Sequence, residues 1–579
     1  VDAPDDAILR RLSLDLRGTV PTPEELKRLE KGGLTIDGAV DEFMDSKDFQ
    51  STFILYHKDL IRPRTGDYNT DASYTKVSEV VVDGERVLTS SRLAAEAGSG
   101  KCSRSERVSV SPWWDRQGTH YACKDTGSSS SNAADGTRCD NEEGQRSGKC
   151  GCGPYLLYCY PEGVKDAVLT SQKQEGARIA MEVVNNDLPY PTILTSNWTM
   201  NDGALEVYYA KLEDRLNDVK DPDIKKPWVR TARPDRHSGI LTTPEMFNFF
   251  YNGRRWAQRT FEAFFCHEVY PDFDLLDDTK DAGAMSAVPY RDSPLLEPSL
   301  TVTEVRACAA CHLQLDGLAR VKDRWDPFGR YHEKTPRGLE IPQTAIFMGQ
   351  EVDGVAGLGK ALAASDMYSD CALNQLWEHM LGHRFQPSEK QTRKKLDDAW
   401  KADGLKFKDA IRMIVKTPEY RAKSSIKIMT RELYTRAMGR ATDVQWKLGD
   451  KNGFDVYYDK LGGMDYRKIE LRDKRPGQGH TLAQMKGAAE SCQEMITRES
   501  KDRKLFAASV DKAPSKEQLD KNIETLYARA YARPWDEVGD DERQLMRDLF
   551  TTVAKKSSPQ DGYRAICTAV FGSEDFALF

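Results

Sequence analysis

Five consecutive residues, Cys308-Ala309-Ala310-Cys311-His312, set two thiols three positions apart and place an imidazole directly after them. On a helical turn such thiols lie on one side, where both can add to the two vinyl groups of one porphyrin. The next residue is then held beneath the iron as its proximal ligand. The pattern predicts one covalent haem c, with Cys308 and Cys311 as thioether donors and His312 as the axial base. With this composition, the number of such pentapeptides expected by chance is on the order of 0.004. A redox Cys-x-x-Cys or half of a zinc site would use the same residues, but no second Cys-x-x-Cys completes a four-cysteine cage.

For the sixth iron position the sequence offers several groups. Met348, in Phe347-Met348-Gly349-Gln350, follows the motif at a distance typical of small monohaem cytochromes. Methionine there would raise the potential, histidine would lower it, and an open position would allow ligand chemistry. His332, Met246, His267 and His379 are the other candidates. His379 and His383 stand one helical turn apart, as a metal pair or as an ordinary helix surface. Ala263-Phe264-Phe265-Cys266-His267 mimics a one-cysteine haem site, though Cys266 has a better use as a cross-link. Asp135-Gly136-Thr137 with Asp140, Asn141 and Glu142 reads as a calcium loop or, more simply, as a solvated one. Asn197-Trp198-Thr199 fits a glycosylation sequon. The chain has no Gly-x-Ser-x-Gly, no phosphate loop and no dinucleotide fingerprint.

The elements that must position these groups read mostly as helix. Thr22-Pro23-Glu24-Glu25 is a capping box with proline at the first helical position, where its missing N–H costs nothing. Apolar residues at helical spacing run through 40–60, 164–185, Leu373/Leu376/Trp377/Met380/Leu381 and Phe407/Ile411/Ile414/Val415. Val80-Val81-Val82-Asp83-Gly84-Glu85-Arg86-Val87-Leu88 predicts a β-hairpin turning at Asp-Gly. From Gly98 to Cys159 helical periodicity is scarce. Two kinds of internal likeness point to a duplicated helical unit rather than a regular solenoid. Leu433–Arg440 matches Leu526–Arg533, and the helix ends Ser46-Lys47-Asp48-Phe49, Thr417-Pro418-Glu419-Tyr420 and Ser573-Glu574-Asp575-Phe576 are alike. The expected architecture is mainly α: a multi-module helical protein with an embedded c-type haem module and a small, disulfide-rich, partly β insertion. Its modules would be 1–75, helical; 76–162, the cysteine-rich insertion; 163–260, helical; 261–345, the haem module; 346–425, helical; and 426–579, a C-terminal helical domain.

Composition narrows the classes. The 579 residues include 10 Trp, 23 Tyr and 20 Phe, too many aromatics for a disordered chain. No apolar run is long enough to span a bilayer, although peripheral membrane association remains open to such a chain. A net charge of -7 disfavours nucleic acid as a partner. Twelve cysteines are many for a reducing compartment, and the chain begins at Val1. Together these predict an exported protein, periplasmic or at the cell surface, whose signal has been removed. Two cysteines are committed to haem, and ten remain to pair. Cys102, Cys123, Cys139, Cys150, Cys152 and Cys159 are expected to pair among themselves and staple the insertion. Cys266 and Cys371 flank the haem module and are expected to bond to each other. Cys492 and Cys567 are expected to staple the C-terminal domain. The alternative for the last four is buried free thiols.

The motif and its surroundings resemble the planctomycete-type cytochrome c proteins, large exported bacterial multidomain chains. The resemblance rests on Cys308-Ala-Ala-Cys-His-Leu-Gln-Leu-Asp-Gly-Leu318 and Trp325-Asp-Pro-Phe-Gly-Arg-Tyr331. Further stretches agree in the same order: Arg11–Gly18 with Pro21–Glu25, Asp187–Tyr190 with Leu194–Met200, Gly239–Thr242, Arg254-Arg255, Phe265-Cys266, and Asp370-Cys371 through Leu381-Gly382. Only 76–162 stands apart. Two positions depart from the family pattern: Gly317 where proline usually follows the aspartate, and His332 where arginine is usual. The resemblance implies an exported monohaem protein and leaves its reaction open. Electron transfer within or to a larger redox assembly is the leading expectation. A structural or surface-assembly subunit that carries a haem comes next, and a haem peroxidase or oxidase last.

Overall fold

Where apolar residues recur at helical spacing, the chain is helical and that face is buried. Leu373, Leu376, Trp377, Met380 and Leu381 are all buried in the helix Asp366–Leu381, and Phe407, Ile411, Ile414 and Val415 in the helix Phe407–Val415. The computed structural model describes residues 2–62, 75–90, 102–124, 126, 152, 154–156, 159–213, 223–249, 253–267, 315–316, 318–326, 329–335, 338–347, 349–448, 451–457, 460–461, 477–502, 505–533 and 535–579. The chain divides into two units, Val1–Tyr56 with Ser369–Phe579, and His57–Tyr368.

The first unit repeats one helical arrangement three times. A first helix (Asp5–Arg17, Asp366–Leu381, Lys516–Tyr531) ends at a residue of positive φ (Gly18, Gly382, Ala532). A second (Pro23–Glu30, Lys390–Ala402, Asp540–Lys556) and a third (Ile36–Met44, Phe407–Val415, Pro559–Phe571) follow. The second helix is preceded by a capping box with proline in two copies, Thr22/Glu25 and Gln386/Glu389. In the remaining copy Asp540, Asp541 and Glu542 supply negative charge to the exposed N–H groups of the first turn.

Each third helix stops at a hydroxyl that does two jobs. Ser46, Thr417 and Ser573 donate to the carbonyls of Phe43, Ile414 and Val570 at 2.7–2.8 Å. The same oxygens accept the N–H of Phe49, Tyr420 and Phe576 at 3.1–3.2 Å. The three rings so delivered are fully buried. The helix Asp5–Arg17 ties two of these ends. Arg10 donates to the carbonyls of Phe576 (2.9 Å) and Leu578 (2.7 Å), and Arg11 to those of Tyr420 and Ala422. The C-terminal copy packs a core that includes Tyr434, Trp446, Ile523, Leu526 and Tyr563, and Cys492 is bonded to Cys567 within it.

In the second unit the expected hairpin forms. Strands β1 (Thr75–Val82) and β2 (Glu85–Thr89) pair antiparallel across Asp83 and Gly84, both at positive φ. With β3 (Arg107–Val110), β4 (His120–Cys123) and β5 (Cys159–Pro161) they make a mixed sheet of order β3-β4-β2-β1-β5. Disulfides Cys102–Cys123 and Cys152–Cys159 cross-link it. Trp113, fully buried, donates its indole N–H to the Cys159 carbonyl at 3.0 Å. The sheet thus gains by cross-links what so small an apolar core cannot supply. The long helix Val164–Asn185 follows. After it come the strand pair Trp198–Asn201/Val229–Ala232, the helices Gly203–Leu212, Pro244–Phe249 and Gly253–Phe265, and the hairpin Thr344–Phe347/Gln350–Asp353.

Candidate functional site

Cys308, Cys311, His312 and Met348 lie outside the described residues, as do Cys139, Cys150 and the proposed calcium loop with Asp135, Asp140, Asn141 and Glu142. The frame that follows the thiol–imidazole motif is described. Four residues after His312, Asp316 accepts from Arg254 through both carboxylate oxygens, at 2.6 and 3.4 Å. Arg254 stands at the start of the helix Gly253–Phe265. Gly253 comes so near Ala319 that a Cβ there would lie 3.2 Å from the alanine methyl. Leu315, Leu318, Val321 and Trp325 are buried along the same stretch. The Trp325 ring stacks on Phe247 (centroids 5.0 Å apart) and meets Tyr331 (5.2 Å) and His237 (4.9 Å) edge-on.

Charged groups in this frame are shifted by burial. Lys322 is pushed down to about 8, and the nearby aspartates only partly oppose the shift. Asp323 is pushed up to about 7 by burial, against the pull of Lys322. His237 is pushed down to about 3, first by burial and then by the charges of Arg233 and Arg236. It is therefore a neutral imidazole at any physiological pH. No local motif marks His237, which stands in Arg236-His237-Ser238 directly before the Gly239–Thr242 stretch.

The histidines and methionine that were singled out go to different places. His332 is exposed and faces the Asp326 carboxylate through Nε2 at 3.2 Å. His267 is exposed, its ring edge-on to Phe261. Met246 is fully buried in the short helix Pro244–Phe249. His379 belongs to the other unit, where Nε2 meets the Asp15 carbonyl at 3.1 Å and the ring meets Tyr56. His383 turns Nδ1 to the Arg384 carbonyl at 3.0 Å. The two therefore face different partners. Among the described residues no group of three or more His, Cys, Asp or Glu is placed to hold a metal ion. Cys266 and Cys371 are each disulfide-bonded.

A second polar cluster of the same unit gave no signal in the sequence. Glu175, at the middle of the helix Val164–Asn185, is fully buried. Its Oε1 accepts from Tyr209 at 2.6 Å and from Thr199, while Oε2 has no hydrogen-bond partner. Glu245 is fully buried with neither oxygen hydrogen-bonded, and a Cβ on Gly176 would lie 3.2 Å from its Oε2. Burial pushes Glu175 up to about 7 and Glu245 well above the usual carboxylate range. Neither carboxyl is exposed to solvent.

Residues 348–420 match a family described as a protein of unknown function (DUF1585). That segment takes in all three helices of the second copy of the repeated helical arrangement. No curated protein and no solved structure matches the chain.

Proposed function

We propose that the chain is an exported monohaem c-type cytochrome that passes single electrons within, or to, a larger redox assembly. The observation that carries this reading is the spacing Cys308-x-x-Cys311-His312. The donor set fits the group: two thiols for thioether bonds and an imidazole for the iron. Leu315, Leu318 and Trp325, which follow the motif, are apolar, as the surroundings of a porphyrin would have to be. The family matched at 348–420 is found in cytochrome c-type proteins, which supports the same assignment. Haem c supplies a one-electron couple whose potential is set by its axial ligands, its burial and the charges around it.

The chain's own part is to hold and tune that couple. Arg254 holds Asp316, four residues beyond the motif, and the Trp325 ring packs against Phe247 and Tyr331. The disulfides support export. No helix among the described residues is long and apolar enough to cross a membrane. The test is chemical. Protein matured in an exporting, haem-c-competent host should keep its colour through acid-acetone extraction and gain the mass of one haem. Pigment that extracts, or an intact mass without haem, overturns the reading. Added CO separates a carrier from an oxidase or peroxidase, because a fixed six-coordinate iron does not take it up.

A further inference from the structure

We propose that the unit formed by Val1–Tyr56 and Ser369–Phe579 binds a small carboxylate anion between Arg440 and Arg529. All the residues involved lie within that unit, and the inference does not depend on the haem reading. The two arginines line a cavity of about 130 Å³ together with the turn that runs from Val20 to Pro23. Arg529 is anchored there. Its Nη1 donates to the carbonyls of Arg440 (3.3 Å) and Ala441 (3.0 Å), at the end of the helix Arg431–Thr442. Its Nε and Nη2 make no hydrogen bond among the described residues, nor does the Arg440 guanidinium, which reaches Asp48 only at 3.7 Å. Burial lowers the Arg529 pKa, nearby acids oppose this in part, and the charge of Arg440 adds to it. Two cations on one cavity, both with donors to spare, suit an anion that accepts from both.

The internal repeat shows what such an arginine takes elsewhere in this chain. Leu433–Arg440 matches Leu526–Arg533, which sets Arg440 against Arg533. Arg533 has a carboxylate: Nη1 donates to Glu542 at 3.2 Å, in the first turn of the helix that follows, and Nη2 to the Glu537 carbonyl at 2.7 Å. At the cavity the first turn of the helix Pro23–Glu30 supplies Glu24 and Glu25. Glu25 is already engaged. It accepts from Arg17 through both oxygens, at 2.7 and 2.9 Å, and from the Thr22 N–H at 2.8 Å. Glu24, at the rim, is exposed and pairs with neither arginine. A free carboxylate would therefore do for Arg440 what Glu542 does for Arg533. The rest of the lining suits a short apolar stem: Val20 and Ala441, both buried, and the rings of Pro21 and Pro23. Cavities of roughly 150 Å³ admit benzene, so a carboxylate of a few carbons fits and a much larger one does not. Phosphate has no stem to set against that wall.

The experiment uses the full-length protein in chloride-free buffer at fixed ionic strength. Propionate is the probe, inorganic phosphate the comparison, and isothermal titration calorimetry the readout. Propionate should bind saturably, at one site per chain, and more tightly than phosphate. Arg440→Gln and Arg529→Gln should each weaken it by about tenfold or more, as the loss of a hydrogen-bonded charge does. Arg529 also holds the end of the helix Arg431–Thr442, and its variant can fail to fold for that reason. Arg440 is 40% exposed and holds no backbone group, so Arg440→Gln decides the matter alone in that event. Glu24→Gln removes a negative charge from the rim and should tighten binding by about two- to threefold. Arg28→Gln, which breaks only an exposed pair with Glu42, should leave the affinity unchanged. No saturable binding of propionate, tighter binding of phosphate, or full affinity in Arg440→Gln would each overturn the proposal.

Discussion

Glu175 shows how much one buried side chain can set the pH response. Its pKa is raised to about 7, chiefly by burial, from 4.5 for an exposed glutamate. The folded state therefore binds the proton more tightly than the unfolded one. Its contribution to stability is fully present below about pH 4.5 and is lost as pH rises to about 7, by on the order of 3 kcal/mol. In Glu175→Gln the amide oxygen can still accept from Thr199 and Tyr209, and nothing titrates. Urea unfolding at several pH values should show the variant gaining on the wild type between pH 4.5 and 7, then holding a constant lead. A constant difference throughout would mean that Glu175 is ionised in the fold. Lys427 is the opposite case. It pairs with the buried Asp15, which also accepts from Tyr420 at 2.9 Å. Lys427→Met should destabilise its unit by roughly 3–5 kcal/mol, because it strands the carboxylate. Neither residue was legible in the sequence. Helical spacing says which positions turn inward when they are apolar, but Glu175, Arg10 and Asp15 turn inward with charges. Their partners come from residues dozens to hundreds of positions away. The Cys308–His312 spacing was legible because all of it lies within five consecutive residues.

At the scale of elements, the repeated hydroxyl–aromatic turn is the part the sequence came nearest to giving whole. Ser46/Phe49, Thr417/Tyr420 and Ser573/Phe576 are alike in sequence, and each forms the same pair of hydrogen bonds and buries an aromatic ring. What hid the threefold repeat was the rest of each copy. The connection between first and second helix varies in length, and its capping chemistry changes from Thr22/Glu25 to Gln386/Glu389 to the acids at 540–542. The geometry survives because any of these satisfies the first-turn N–H groups or complements their charge. Ser573→Ala should cost about 1 kcal/mol, the usual value of an N-cap. Phe576→Ala should cost roughly 3–5 kcal/mol, since it empties a filled core position. Chemical denaturation reads both, and equal losses would mean that the turn, not the ring, holds the copy in place. The five-stranded sheet was only half legible. Asp83-Gly84 announced one hairpin, but β4 and β5 join β2 and β1 in parallel, a pairing that no local pattern encodes.

At the scale of the molecule, one unit is built from both ends of the chain, residues 1–56 and 369–579. The early segment is part of its interior. Arg10 and Arg11 supply donors to carbonyls at 420, 422, 576 and 578, Asp15 supplies the anion for Lys427, and Ala3 N–H bonds the Arg421 carbonyl at 2.8 Å. Removing residues 1–56 would leave those carbonyls without donors and a lysine without its carboxylate, each a buried polar loss of about 1–3 kcal/mol or more. Their sum exceeds what a unit of ordinary stability can bear. The Cys492–Cys567 bond, closing a loop of 75 residues, offers roughly 4 kcal/mol against this in the chain-entropy model. The expected outcome is that a chain starting at residue 57 loses amide-exchange protection in the helices Gln478–Asp502 and Pro559–Phe571. The helix Val164–Asn185, whose contacts lie in the other unit, should stay protected. Adding a peptide of residues 1–56 should restore protection in a concentration-dependent way, because it binds only the folded unit. Undiminished protection of Pro559–Phe571 in the shortened chain would show that the C-terminal copies fold without the N-terminal one, and that Arg10 and Asp15 only decorate a core already complete.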